Sequence, residues 1–227
     1  MRTVRKINEK LIYLVLHKPI KMWQNQISQK HMPDKKLNRL ILFYKIPVLG
    51  KVKTRLARSL GDPKAMEIYQ KLLNHARKVA KEQGLATPYW YVDETPDLIN
   101  ENMFVQKGAN IGERMENAID EQFKSGGKKV ALFGSDCYGI NKEIIEEAFR
   151  ALDKYDIVLG PANDGGYYSI GMKRMQRFLF DGITWSTPEV KDQTIEKCHK
   201  HGLSIYELPL LTDVDTPEDL KAYPGLL

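Results

Sequence analysis

The sequence predicts an α/β domain built on a mostly parallel central sheet with helices on both faces, and three observations predict it. Short apolar runs such as Leu40-Ile41-Leu42-Phe43-Tyr44 and Val130-Ala131-Leu132-Phe133 are continuous rather than alternating, as in strands buried on both sides. Segments with apolar residues at helical spacing follow these runs in turn. Gly, Pro, Asn and Asp fall at the joints between the two kinds of segment, where caps and turns need them.

The first strand is residues 40–44. A helix opens at Asp62-Pro63, read as cap plus first-turn proline, carries Met66, Tyr69, Leu72, Leu73, Ala76, Val79 and Ala80 inward, and stops at Gly84. Tyr89-Trp90-Tyr91-Val92 is the next strand. Gly112 opens a helix bearing Met115, Ala118, Ile119 and Phe123, which Gly126-Gly127 ends. The strand at 130–133 leads to a helix capped at Asn141, with Ile144, Ile145, Ala148, Phe149 and Leu152 inward. Residues 157–159 and 167–170 read as strands flanking the turn Asn163-Asp164-Gly165-Gly166. Thr187-Pro188 is expected to open a helix closed by Gly202. A short segment at 204–208 follows, and Thr216-Pro217-Glu218-Asp219 reads as a last helix start.

Bulk properties narrow the function. A length of 227 residues suits one sizeable domain, or one domain with an extra segment. No apolar run approaches the ~20 residues of a membrane span, so no stable membrane insertion is expected. Two cysteines, Cys137 and Cys198, give neither a disulfide framework nor a zinc spacing, and a cytoplasmic setting is the default. The net charge of +6 is unevenly placed. Residues 1–36 hold nine of the 35 basic residues and two of the 29 acidic ones, so they carry +7 and the remainder, 26 basic against 27 acidic, carries −1. The globular part is not a basic protein, and no nucleic-acid motif appears in it. Residues 1–36 are expected to be a basic N-terminal extension, helical or disordered, ahead of a nucleotide-binding domain at 37–227.

Ligands of such sheets bind beyond the carboxyl ends of the strands, so the residues after each strand carry the argument. The loop after the first strand holds Lys45, Gly50, Lys51, Lys53 and Arg55; Gly50 permits close backbone approach, and Lys53 and Arg55 can neutralise a polyphosphate. It is not a P-loop, because Gly50-Lys51 is followed by valine. The alternative is a solvated basic loop. Gly134-Ser135-Asp136-Cys137 puts a carboxylate at a strand end, where Mg²⁺ or Mn²⁺ bridging phosphates could be held; a turn-capping role is the plainer reading. Asp164, Gly165 and Gly166 either shape a second-substrate pocket or only turn a hairpin. Asp213 and Asp215 exceed what the cap at Thr216 requires, and their alternate positions around Val214 could aim one of them at a metal. The stretch Cys198-His199-Lys200-His201 lacks partners for a metal, and His75 reads as a surface or packing residue.

These stretches, with Gln106-Lys107-Gly108-Ala109-Asn110-Ile111-Gly112-Glu113-Arg114-Met115 and Trp185-Ser186-Thr187-Pro188, occur in an order that resembles the bacterial DUF2064 family. That family is also known as rSAM/selenodomain-associated transferase 1. It is similar to 2-phospholactate guanylyltransferase and the molybdenum cofactor nucleotidyltransferases, within the nucleotide-diphospho-sugar transferase superfamily. The resemblance runs from about residue 37 to the C-terminus. It implies the GT-A / nucleotide-diphospho-sugar transferase fold, with Asp136 as strand-end metal ligand and the Asp213/Asp215 stretch supplying a second. Lys53 and Arg55 would contact nucleotide phosphates, with Lys45, Gly50, Gly108, Gly112, Arg114, Gly165 and Gly166 around the nucleotide. The function implied is metal-dependent glycosyl transfer, with Mg²⁺ or Mn²⁺, from a nucleotide-sugar to a small-molecule acceptor, Asp164 being a candidate base. Nucleotidyl transfer to a phosphorylated small molecule is the alternative, and non-catalytic nucleotide binding a third. The sequence departs from the family pattern at Asn110, where aspartate is usual, and at Tyr138, where proline is usual.

Overall fold

The computed structural model describes residues 37–96 and 102–227, and the expected basic extension at 1–36 lies outside them. The order is β1 (Asn38–Tyr44), α1 (Thr54–Leu60), α2 (Asp62–Glu82), β2 (Thr87–Val92), β3 (Met103–Val105), α3 (Ile111–Lys124) and β4 (Lys129–Gly134), then α4 (Lys142–Ala151), β5 (Ile157–Pro161), β6 (Tyr167–Met172), α5 (Val190–Lys200) and β7 (Ile205–Glu207). The seven strands form one sheet in the order β3-β2-β1-β4-β6-β5-β7. All neighbours run parallel except β6, which is antiparallel to both β4 and β5.

Strand alternation explains why β1 reads as a continuous apolar run. Leu40, Leu42 and Tyr44 pack on one face with Tyr69, Leu73 and Ala76 of α2 and Ile145, Ala148 and Phe149 of α4. Ile41 and Phe43 pack on the other face with Met115, Ala118 and Ile119 of α3 and Cys198 of α5. The mostly parallel sheet with helices on both faces is therefore as expected. A third cluster joins Leu56 of α1, Ala65, Ile68 and Leu72 of α2, and Val214, Leu220 and Leu226 of the C-terminal stretch.

Four local expectations are corrected. The stretch after β1 is a loop only to Lys53, because Thr54–Leu60 winds into α1 around the buried Leu56. Asp62 is the first helical residue of α2 rather than its cap; Gly61 caps it with φ 80°, accepting from the Ala65 N–H at 3.1 Å. Thr187-Pro188 does not open α5, which begins at Val190; the Thr187 hydroxyl instead donates to the Thr184 carbonyl at 2.7 Å. Thr216-Pro217 leads only to a 3₁₀ turn, Asp219–Ala222, whose bonds reach back three residues, the Lys221 N–H to the Glu218 carbonyl at 3.1 Å and the Tyr223 N–H to the Leu220 carbonyl at 2.9 Å, and Pro224 disfavours helix at Tyr223.

Candidate active site

Strand direction collects the candidate residues. The carboxyl ends of β1, β2, β3, β4, β5 and β7 and the amino end of antiparallel β6 all lie along one edge of the sheet. The loops after β1 and β4 flank the point where the strand order reverses, the crevice in which open α/β sheets bind ligands.

The loop after β1 is fixed at both ends. The Tyr69 hydroxyl donates to the Lys45 carbonyl at 2.7 Å and accepts from the Lys45 N–H at 3.0 Å. Gly50, at φ 76°, closes a turn in which the Lys51 N–H donates to the Val48 carbonyl at 3.0 Å. Val52 and Leu56 are buried on either side of Lys53, whose backbone is left-handed at φ 47°. A non-glycine residue is held there at a cost, and such strain gathers at functional positions. The Lys53 side chain is 3% exposed, and its Nζ lies 3.0 Å from Asp136 Oδ1 and 2.8 Å from Asp215 Oδ1. Arg55, in the first turn of α1, lies 3.6 Å from Asp215 Oδ2. The Lys45 side chain is exposed.

Asp136 and Asp215 come from different elements, and main-chain bonds align them. The Val214 N–H donates to the Asp136 carbonyl at 3.0 Å, and Cys137 bridges Asp213. Val214 is fully buried in the third cluster, and the carboxylates on either side of it take different partners. Asp215 meets Lys53. Asp213 turns to Cys137, whose thiol donates to Asp213 Oδ1. Asp219 Oδ2 accepts from the backbone N–H of Asp215 and Thr216 and from the Thr216 hydroxyl, which fixes the approach of Asp215.

Burial opposes the charge on Lys53, but Asp136 and Asp215 outweigh it and raise its pKa. Burial, reinforced by the charges of Asp136 and Asp164, pushes Asp213 up to about 6 against the pull of the Cys137 thiol. Burial and then Asp213 push the Cys137 thiol upward. Burial, and next the charge of Asp136, push Tyr69 up to about 12.

The other candidates frame this centre. Gly108 has φ 144°, and a Cβ there would stand 2.7 Å from Glu113 Cβ and 2.8 Å from Arg114 N. Arg114 Nε donates to the Gly108 carbonyl at 3.2 Å; among the described residues no hydrogen bond or ion pair joins Arg114 to Lys53, Asp136 or Asp215. Asn110 caps α3, accepting from the Glu113 N–H at 3.0 Å and donating to Glu113 Oε1 at 2.9 Å. An aspartate could not make that second bond, which accounts for the asparagine here. Gly112 faces Trp185, where a Cβ would lie 2.2 Å from the indole. Gly165, at φ 87°, faces the Pro188 carbonyl, where a Cβ would lie 2.1 Å from the oxygen. Asp164 Oδ1 accepts from the Gly166 N–H at 2.9 Å, an Asx turn that leaves the carboxylate exposed. The loop at 185–188 thus touches both the start of α3 and the β5–β6 turn.

Tyr138, the second departure, packs against His75 and Tyr223 with ring centroids 4.5 and 5.5 Å away, outside the carboxylate cluster. His75 is a packing residue, its Nε2 2.7 Å from the Ile140 carbonyl. His201 stacks on Phe178. Sequence reasoning missed Tyr69, Cys137, Glu113 and Asp219 as organisers of the site. Glu113 and Asp219 had a legible signal, an acid three residues after Asn110 and Thr216; Tyr69 and Cys137 act through contacts distant in sequence.

The residues fit a divalent cation. Asp136 and Asp215 converge on one point yet remain 46% and 39% exposed, so each carboxylate keeps an outward side open. Hard oxygen donors of this kind suit Mg²⁺ or Mn²⁺, which take one or two carboxylates and complete their shell with phosphate and water. No group of three or more His, Cys, Asp or Glu with metal-binding geometry occurs among the described residues.

Comparison with known proteins agrees with this frame. The family model described as "Uncharacterized protein conserved in bacteria (DUF2064)" matches residues 69–187. A protein of Desulfovibrio desulfuricans G20, provisionally described as a nucleotide-diphospho-sugar transferase, is 32% identical over 80% of this chain and 83% of its own, with a TM-score of 0.76. The inositol-1-phosphate CTP transferase of T. maritima is 13% identical over 85% and 95%, with a TM-score of 0.56. The manganese complex of Rv0371C from Mycobacterium tuberculosis H37Rv is 11% identical over 82% and 96%, with a TM-score of 0.50. No curated protein matches the sequence. With a family match over more than half of its length and that 32% identity, this chain belongs to the DUF2064 family and has the nucleotide-diphospho-sugar transferase fold.

Proposed function

We propose that this chain is a divalent-metal-dependent nucleotidyltransferase that joins a nucleotide to a phosphorylated small molecule. The observation that carries this reading is the convergence of Lys53 and Arg55 on the Asp136–Asp215 pair at the point where the strand order reverses. Cations and carboxylates set side by side suit a nucleoside triphosphate, since the carboxylates hold a metal and the cations meet phosphate oxygens. Mg²⁺ or Mn²⁺, held by Asp136 and Asp215, would supply Lewis-acid neutralisation of the phosphates. Lys53 and Arg55 orient the triphosphate and stabilise charge on the pyrophosphate as an acceptor phosphate oxygen bonds to the α-phosphorus and the α–β bridge breaks. Gly108, Gly112 and Arg114 border the nucleotide, and Gly165 and Gly166 offer backbone close to it.

Glycosyl transfer is the second reading, favoured by the 32% identity to a protein described as a nucleotide-diphospho-sugar transferase. Asp164, exposed on the β5–β6 turn, would then accept the proton of the acceptor hydroxyl.

Thermal melting against nucleoside triphosphates and nucleotide-sugars, with and without Mn²⁺, tests both. A ligand at ~100 times its dissociation constant adds ~2.7 kcal/mol of stability. Mn²⁺-dependent stabilisation by a triphosphate, lost in Asp136→Asn, is expected. Stabilisation by nucleotide-sugars alone favours the second reading, and none by any nucleotide overturns both.

A further inference from the structure

The cation between Asp136 and Asp215 belongs to the protein itself. Lys53 Nζ lies 3.0 Å from one carboxylate and 2.8 Å from the other, and its side chain is 3% exposed although both partners are over a third exposed. Three features hold it there. The backbone of Lys53 is left-handed, Val52 and Leu56 are buried on either side of it, and Asp219 fixes the main chain of Asp215. A lysine whose task was only to reach phosphate would be expected to extend toward solvent. This one is aimed inward, at the two oxygen ligands a divalent ion needs.

We propose that Lys53 is the resident counter-cation of the Asp136–Asp215 pair, disfavouring free divalent ion until a nucleotide phosphate draws its ammonium away. An ammonium and a divalent ion on the same two carboxylates repel each other, and in a partly buried site that repulsion is weakly screened. Polyphosphate removes the conflict by giving the ammonium a second anion. Metal and nucleotide therefore bind with positive coupling, and by linkage each strengthens the other equally. The inference rests on the nucleotide-dependent reading above.

The test counts bound Mn²⁺ by electron paramagnetic resonance, without nucleotide and with a non-hydrolysable triphosphate, for wild type, Lys53→Met and Lys53→Arg. Lys53→Met is expected to bind Mn²⁺ alone at least about tenfold more tightly than wild type, by relief of one like charge. Lys53→Arg keeps the charge and should stay close to wild type. Thermal melting covers the case in which Lys53→Met folds poorly: Mn²⁺ alone should raise its melting temperature more than it raises that of wild type. The double variant Lys53→Met/Asp215→Asn, freed of carboxylate repulsion, should lose that gain. If wild type binds Mn²⁺ with the triphosphate but Lys53→Met gains neither affinity nor stability from Mn²⁺ alone, the counter-cation role is wrong and the proposed function stands. If neither protein binds Mn²⁺ or nucleotide, both fail.

Discussion

Asp213 and Asp215 stand two residues apart and do different work. Asp215 faces Lys53 and Arg55, whereas Asp213 is spent on the Cys137 thiol. Asp136→Asn and Asp215→Asn should each lower the transfer rate by roughly 10²-fold or more, as expected when charge stabilisation is removed. Asp213→Asn, which can still accept from Cys137, should lose much less, and steady-state kinetics of the three variants checks the order. A second residue-scale prediction concerns pH. Asp156 accepts from the Ser204 N–H at 3.0 Å and the Ser204 hydroxyl at 2.7 Å, and these bonds, with Lys173 beside it, bring its pKa down to about 2. A depressed carboxylate contributes stability above its unfolded pKa of ~3.9 and loses it as pH falls through about 2. Asp156→Asn should therefore cost about 1 kcal/mol at pH 7, discounted for its partial exposure, and almost nothing near pH 2. Denaturant titrations at the two values decide it.

At the scale of elements, caps and close approaches set the site edge. Asn110 and Asn141 cap α3 and α4 by accepting from the N–H groups of Glu113 and Ile144. Asn110→Ala should cost ~1 kcal/mol in urea unfolding. Gly165→Ala should cost more, ~1–3 kcal/mol, because φ 87° strains any L side chain and the new Cβ meets the Pro188 carbonyl. Gly112→Ala should cost as much through Trp185, with partial recovery in Gly112→Ala/Trp185→Leu; absence of recovery would show that the indole contact is not the cause. The sequence announced α3 and α4 through their apolar stripes and read the Asn141 cap of α4, but it opened α3 at Gly112, whereas the helix starts at Ile111 with Asn110 as its cap. It was silent on β3, three residues of middling burial at the sheet edge, and on α1, whose single buried residue Leu56 makes no visible period. It misled at Thr187 and Thr216, where a good local helix start did not carry on: Ser186 takes φ 65° and the Thr187 hydroxyl bonds back to Thr184, and beyond Thr216 the turn stays 3₁₀ up to Pro224.

At the scale of the whole molecule, charge is unevenly placed along the chain. Residues 1–36 carry +7, leaving 37–227 at −1. Removing 1–36 should abolish retention on a cation-exchange resin near pH 7 while leaving nucleotide-dependent thermal stabilisation unchanged; loss of that stabilisation would tie the segment to the site. Among the described residues no helix is long and apolar enough to cross a membrane. By itself the sequence determined the α/β class, the strands of the sheet centre and the identity of the chemical groups, because burial on both faces writes a continuous apolar run and turns write Gly, Pro, Asn and Asp. It also put Lys53, Arg55, Asp136 and Asp215 among the candidates, since each follows a strand or flanks a cap. Only the tertiary structure decided that Lys53 points inward and that Asp215 rather than Asp213 meets it. It also decided that β6 runs against its neighbours. The reason is physical: these facts depend on groups up to 162 residues apart in the chain, whose meeting is fixed by the packing of Val52, Leu56 and Val214 and by the hand of the sheet.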